Sequence, residues 1–133
     1  MYEDILATVP LFRDLSPREL TWLADTCRER DYAPGQTLVH QAASGSGLFI
    51  ITEGSVRVSA VDASAVEREI SRLGSGAAFG EQALLADLPS PATVTAIEPT
   101  HTLVLPVWDF RLTLRDFPDL AIHLIAILGQ RLR

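Results

Sequence analysis

From Thr37 to Leu105 glycine, proline and small polar residues cut the chain into short apolar segments. Segments of about four to eight residues read as strands rather than helices. Pro34-Gly35 turns the chain into a strand at Thr37-Leu38-Val39-His40, and Ala42 to Gly47 reads as a small, flexible loop. Leu48 to Thr52 is strongly strand-forming, and Glu53-Gly54 has the form of a tight hairpin turn. Ser55 to Ala60 alternates apolar with polar residues, one face in and one face out. A loop at Asp62 to Ala65 leads to a strand around Val66 to Leu73, and Gly74-Ser75-Gly76 turns the chain again. Thr93 to Ile97 and Thr102 to Leu105 supply two more strands. Many short strands with glycine and proline between them predict a β-barrel or sandwich of jelly-roll type.

Both ends of the chain are helical in pattern. Residues Tyr2 to Ala7 have room for a helical turn or two. Ser16-Pro17-Arg18-Glu19 carries a start signal: Ser16 as N-cap, Pro17 at the first helical position and Glu19 closing a capping box. Leu20, Leu23, Ala24 and Cys27 then share one face, which predicts a helix running to about Glu29 with Cys27 as a small core residue. Val107 to Arg115 is a further helix, and Phe117-Pro118-Asp119 opens a last one. Asp109 and Asp116 are expected to act as caps, and Trp22 and Trp108 as core residues. Leu120, Leu124, Ile127 and Leu128 form one apolar face of the last helix, while Ile122, Ile125 and Leu132 form another. A lone surface helix has no use for a second apolar face, so Leu120–Leu132 is expected to meet a partner subunit or domain. The pattern is still running at Arg133, as in a helix cut from a longer one or a dimerisation strut. The expected fold is α+β, mainly β: a jelly-roll β-barrel flanked by an N-terminal helix and two C-terminal helices. One domain covers 1–133, with N-terminal helices at 1–30, a β-roll at 31–106 and C-terminal helices at 107–133.

Composition narrows the function. At 133 residues, 47% hydrophobic and 21% charged, the sequence is that of one folded domain rather than a disordered segment. The net charge is −6, every basic residue is arginine, and no basic stripe appears, so direct nucleic-acid binding is not expected. An acidic module suits a protein partner or a small ligand. The longest apolar run, Leu124 to Gly129, is too short to span a bilayer, and the acidic start Met1-Tyr2-Glu3-Asp4 is no targeting signal. The single cysteine, Cys27, fits a reducing cytoplasm. His40, His101 and His123 show no metal-ligand spacing, so no metal is expected. No nucleophile elbow or Walker loop is present, and the chain reads as a non-enzyme.

The chemistry concentrates in Phe79-Gly80-Glu81-Gln82-Ala83-Leu84-Leu85 and, after a short turn, Pro89-Ser90-Pro91-Ala92-Thr93. Glycine admits a close backbone approach, Glu81 is a hydrogen-bond acceptor, and a short helix offers free N–H groups at its first turn. This is the pattern of an anion or sugar-phosphate pocket. From the residues alone, Glu81 is either a ligand acceptor or a cap of the short helix, and Gly80 either a ligand contact or a turn glycine.

The whole order resembles the cyclic nucleotide-binding domain family, the sensor of catabolite-activator-type transcription factors, kinase regulatory subunits and gated channels. Pro10-Leu11-Phe12 with Leu15-Ser16, Tyr32-Ala33-Pro34-Gly35-Gln36 to Gln41, and Leu48-Phe49-Ile50-Ile51-Thr52-Glu53-Gly54-Ser55-Val56-Arg57-Val58 are similar to its successive segments. Phe79 to Leu85 and Pro89 to Thr93, followed by Thr95-Ala96, resemble the start and end of its phosphate-binding cassette. The resemblance implies a ligand site at Phe79, Gly80, Glu81, Gln82, Ala83, Leu84, Ser90, Pro91, Ala92 and Thr93. It gives Glu81 to the ribose 2′-hydroxyl and Gly80, Ala83 and Leu84 to the cyclic phosphate of cAMP or cGMP. From the last helix, Leu128 or Arg131 would cover the purine.

Two positions depart from the family pattern. Where the resemblance implies a phosphate-pairing arginine stands Ser90, and the next residue, Pro91, has no N–H. A charge-assisted hydrogen bond contributes about 1.5–3 kcal/mol, about ten- to hundredfold in affinity. Cyclic nucleotide binding is therefore expected to be weak or absent. Either the cassette has drifted or the pocket is tuned to another ligand. Three roles are compatible with the sequence: a regulatory sensor, a ligand-independent dimerisation or docking module, or the sensor half of a transcription factor without its DNA-binding part.

Overall fold

Strand propensity and the placement of the turns produce two four-stranded antiparallel sheets in the computed structural model, which describes residues 1–44, 46–86 and 88–132. Gly45 in the expected loop, Asp87 in the turn after the cassette, and Arg133 at the end of the helical pattern lie outside the described residues. The strands are β1 (Arg28–Tyr32), β2 (Thr37–Val39), β3 (Gly47–Glu53), β4 (Ser55–Val61), β5 (Glu67–Gly74), β6 (Ala78–Phe79), β7 (Thr93–Ala96) and β8 (Thr100–Pro106). The helices are α1 (Glu3–Leu6), α2 (Pro17–Ala24), α3 (Glu81–Ala86), α4 (Val107–Asp116) and α5 (Pro118–Arg131). The chain divides into two compact units, Arg28–Val104 and Met1–Cys27 with Leu105–Arg133.

In the β unit the sheet orders are β1-β8-β3-β6 and β2-β7-β4-β5. Ile51 of β3, Val56 of β4 and Val94 of β7 form a buried cluster joined by Leu38, Val39, Val58, Leu73, Ala77 and Phe79. Both sheets contribute, which makes the layer between them the core and the fold jelly-roll-like. Each such aliphatic side chain contributes about 1.5–3 kcal/mol on burial.

Two local expectations are corrected by the structure. Glu53-Gly54 is a tight turn but not a hairpin, because β3 and β4 belong to different sheets. Gly54 takes φ 95°, and a Cβ there would collide with the Pro99 carbonyl and the backbone of Thr100. The turn lifts the chain from one layer to the other. Helix α2 ends at Ala24 instead of reaching Glu29. Thr26 and Cys27 donate N–H groups to Leu23 and Ala24 carbonyls in a tightened last turn, and Arg28 already begins β1. That strand exists through its register with β8, from Arg28↔Val104 to Tyr32↔Thr100.

A bulge shapes the edge of the second sheet. Val58 pairs with Ser71 and Ser59 with Glu69, leaving Ile70 as the extra residue on β5 and 61% exposed.

The helical unit forms by capping and aromatic packing. The Glu19 N–H donates to Ser16 Oγ at 3.2 Å and the Ser16 N–H to Glu19 Oε1 at 2.9 Å, the expected capping box. The Glu19 carboxylate also lies 2.8 Å from His123 Nδ1. Burial pushes the Glu19 carboxyl up, but the Ser16 N–H and His123 outweigh it and hold the group below the ordinary carboxylate value. Phe12 and Phe110 meet at 6.4 Å, and Trp22 stacks on Phe117 at 4.0 Å. Trp108, by contrast, is 69% exposed and is no core residue. Pro106 and Phe117 occupy the N-cap positions of α4 and α5 without side-chain cap bonds, so neither Asp109 nor Asp116 is an N-cap residue, and Asp109 lies in the first turn of α4. Cys27 is half-buried with Sγ 3.5 Å from the Leu23 carbonyl, and burial pushes its thiol up to about 12. On α5, Leu120, Leu124 and Ile127 are buried, whereas Ile122, Ile125 and Leu132 are exposed.

Candidate ligand-binding site

The cassette begins where β6 pairs with β3. Phe79 stands opposite Phe49, and their rings stack at 5.0 Å and 3°. This pair fixes the point at which the chain leaves the sheet. Gly80 then takes φ 93°, and a Cβ there would strike the Gly47 carbonyl. The residue is a turn glycine and a close-approach glycine at once. Helix α3 starts directly afterwards, and the Ala83 N–H donates to the Gly80 carbonyl at 3.1 Å.

Beside this turn lies a cavity of about 360 Å³ formed wholly within the β unit. Phe79, Gly80, Glu81, Gln82 and Ala83 line it from one side and Ser90, Pro91 and Ala92 from another. Leu84 and Thr93 are not among its lining residues. Leu84 is buried at 2% exposure, and Thr93 Oγ1 accepts the Gln41 N–H at 2.9 Å. The sequence reading missed Val39, Val58, Leu73 and Val94, which supply an apolar wall, and Ser46 and Ser71, which add hydroxyls. For those on strands, the register was the signal, since side chains two residues apart share a face; Ser46 lies in the loop before β3.

The electrostatics are one-sided. Glu81 is half-buried, and its carboxylate makes no hydrogen bond or ion pair with any described residue. Among the described lining residues there is no arginine or histidine. The arginines of the adjacent strands face acids elsewhere: Arg57 lies 3.8 Å from Glu67 and Arg72 3.1 Å from Glu69. Ser90 is tied to its own loop. Its N–H donates to the Ala43 carbonyl at 2.9 Å, its carbonyl accepts from Ala42 at 2.8 Å, and its hydroxyl donates to the Ala92 carbonyl at 2.6 Å. The Ala92 N–H in turn lies 3.4 Å from Ser90 Oγ.

Of the two candidates on the last helix, Arg131 donates from Nη2 to the Pro10 carbonyl at 2.5 Å, and Leu128 is half-buried. A separate surface cluster joins β8 to β1, where His101 Nδ1 meets Asp31 and Nε2 lies 3.2 Å from Glu29. Among the described residues no group of three or more His, Cys, Asp or Glu is arranged to hold a metal ion. No helix among them is long and apolar enough to cross a membrane.

A two-sheet jelly roll whose glycine turn and short helix border a cavity has the architecture of a small-ligand domain. Residues 29–116 match the cyclic nucleotide-binding domain, and the chain belongs to that family. It is 33% identical to the cyclic AMP receptor protein of Thermus thermophilus over 93% of its own length, and spans 57% of the length of that protein. The N-terminal domain of a Streptomyces coelicolor transcriptional regulator superposes with TM-score 0.85 at 30% identity, covering 98% of this chain and 93% of that one. The regulatory subunit of a cAMP-independent protein kinase A from Trypanosoma cruzi, solved bound to guanosine, gives TM-score 0.75 at 30% identity over 85% of this chain and 40% of that one.

Proposed function

We propose that the chain is a non-enzymatic regulatory module of a cytoplasmic protein, whose cavity at Phe79–Ala83 and Ser90–Ala92 is its ligand site and takes cAMP or cGMP weakly or not at all. The observation that carries this reading is that, among the described lining residues, there is one unengaged carboxylate and no cation beside it. Family membership supports the regulatory role. A relative of the same fold was solved bound to guanosine, a ligand without a phosphate. Occupancy regulates a partner only as far as the ligand binds the two states of the module with different affinity. The match to an N-terminal domain of a transcriptional regulator favours a sensor that works within a longer protein.

Calorimetric titration tests the reading. The native chain is expected to show no saturable binding of cAMP or cGMP below about 10 μM, and the double change Ser90→Arg with Pro91→Ala to gain at least about tenfold in affinity. Tight cyclic nucleotide binding by the native chain would overturn it. A second reading, docking or self-association through Leu120–Leu132, rests on the exposure of Ile122 at 63% and Ile125 at 69%.

A further inference from the structure

We propose that this cavity selects an uncharged nucleoside over any nucleoside phosphate, an inference that rests on its being the module's ligand site. An anion drawn from water needs either a counter-charge or a full set of hydrogen-bond donors. Several donors on both sides of the cavity are already engaged by the chain itself. The Ser90 N–H goes to Ala43, the Ser90 hydroxyl to the Ala92 carbonyl, the Ala92 N–H to Ser90 Oγ, and the Ala83 N–H to Gly80. Pro91 brings none. The Glu81 and Gln82 N–H groups in the first turn of α3, the Gln82 side-chain amide and the Ser46 and Ser71 hydroxyls remain, and these neutral groups hydrogen-bond without cancelling charge. Glu81 adds like-charge repulsion to any phosphate brought into the same space.

The same groups suit a neutral guest. An unengaged carboxylate accepts two O–H donors from a vicinal diol in charge-assisted bonds. The ribose of a nucleoside presents such a diol. Val39, Val58, Leu73 and Val94 offer apolar surface to the faces of a flat base, and Ser46 and Ser71 can donate to or accept from its edge. A volume of about 360 Å³ lies near the small end of ligand cavities and is enough for a nucleoside.

Calorimetry on the full chain with adenosine, guanosine, their 2′-deoxy forms, cAMP and cGMP tests this. One ribonucleoside is expected to bind at least about tenfold more tightly than its cyclic phosphate, and its 2′-deoxy form to lose at least about tenfold. Glu81→Gln should lose as much while keeping the native melting temperature. The change Ser90→Arg with Pro91→Ala should reverse the order of preference. If the native chain binds a cyclic nucleotide as tightly as its nucleoside, the selectivity is refuted and the ligand site stands. The selectivity is refuted equally if the native chain binds no nucleoside at millimolar concentration while the double variant gains cyclic nucleotide. If neither chain binds any of these compounds and the double variant melts as the native chain does, the ligand site falls as well.

Discussion

At Gly80 the backbone takes φ 93° against the Gly47 carbonyl, so the absence of a side chain is a steric requirement before it is anything else. Gly80→Ala is expected to lose about 1–3 kcal/mol in urea unfolding, with ligand affinity falling too because β6 and α3 join there. Ser90 teaches the opposite lesson. A serine at a loop in the sequence looks like a free donor, yet its hydroxyl belongs to the Ala92 carbonyl. Sequence shows which donors exist but not which are already paired. His101 is a third case. The Asp31 hydrogen bond first, then that of Glu29, raises its pKa above the ordinary 6.5. A raised folded value means the stabilisation is fully present below 6.5 and is lost as pH rises through the folded value. Thermal melts of His101→Gln from about pH 5 to about pH 8 should fall below the native chain at the acidic end and converge with it at the basic end. At this exposed position the gap should be about 0.2–1 kcal/mol.

Among the elements, α2 was the most legible, because Ser16, Pro17 and Glu19 specify its start through contacts within one turn. Its end was not. The stripe of Leu20, Leu23, Ala24 and Cys27 continues past the helix end at Ala24, while β8 draws the chain into a sheet from Arg28 on, and pairing with a partner more than seventy residues away leaves no local trace. Strand β6, only Ala78–Phe79, is too short for any periodicity and is held by the stacking of Phe79 on Phe49. Glu53-Gly54 announced a turn but could not announce which sheet the next strand would join. The cassette divided along the same line: its contiguous half was readable, whereas Val39, Val58, Leu73 and Val94 reach the cavity from strands scattered along the chain. The cap of α2 also has a pH signature. Glu19 has its carboxyl held below 4.5, so its stabilisation is fully present above 4.5 and is lost as pH falls through the lowered folded value. Glu19→Gln should therefore be less stable than the native chain at neutral pH, with the difference shrinking through the acid limb of a melting-temperature profile.

For the molecule as a whole, burial supports the expected split of α5: of the inward face Leu120, Leu124 and Ile127 are buried and Leu128 is half-buried, and the outward residues Ile122, Ile125 and Leu132 are exposed. Trp108 and Leu112 of α4 are exposed as well. If this surface joins two copies, static light scattering should report a dimer at high protein concentration. Ile122→Glu with Ile125→Glu should return it to monomer without lowering the melting temperature of the separated chain. A strictly monomeric native chain would leave the outward face to a different partner. Cys27, at the edge of the helical unit and directly before the first strand, has a practical consequence. Its sulfur, raised to about 12, offers almost no thiolate at neutral pH while the fold is intact. Alkylating reagents will meet a nearly silent atom until the turn around it opens, so the rate at which label accumulates becomes a clock for local breathing that needs no engineered probe.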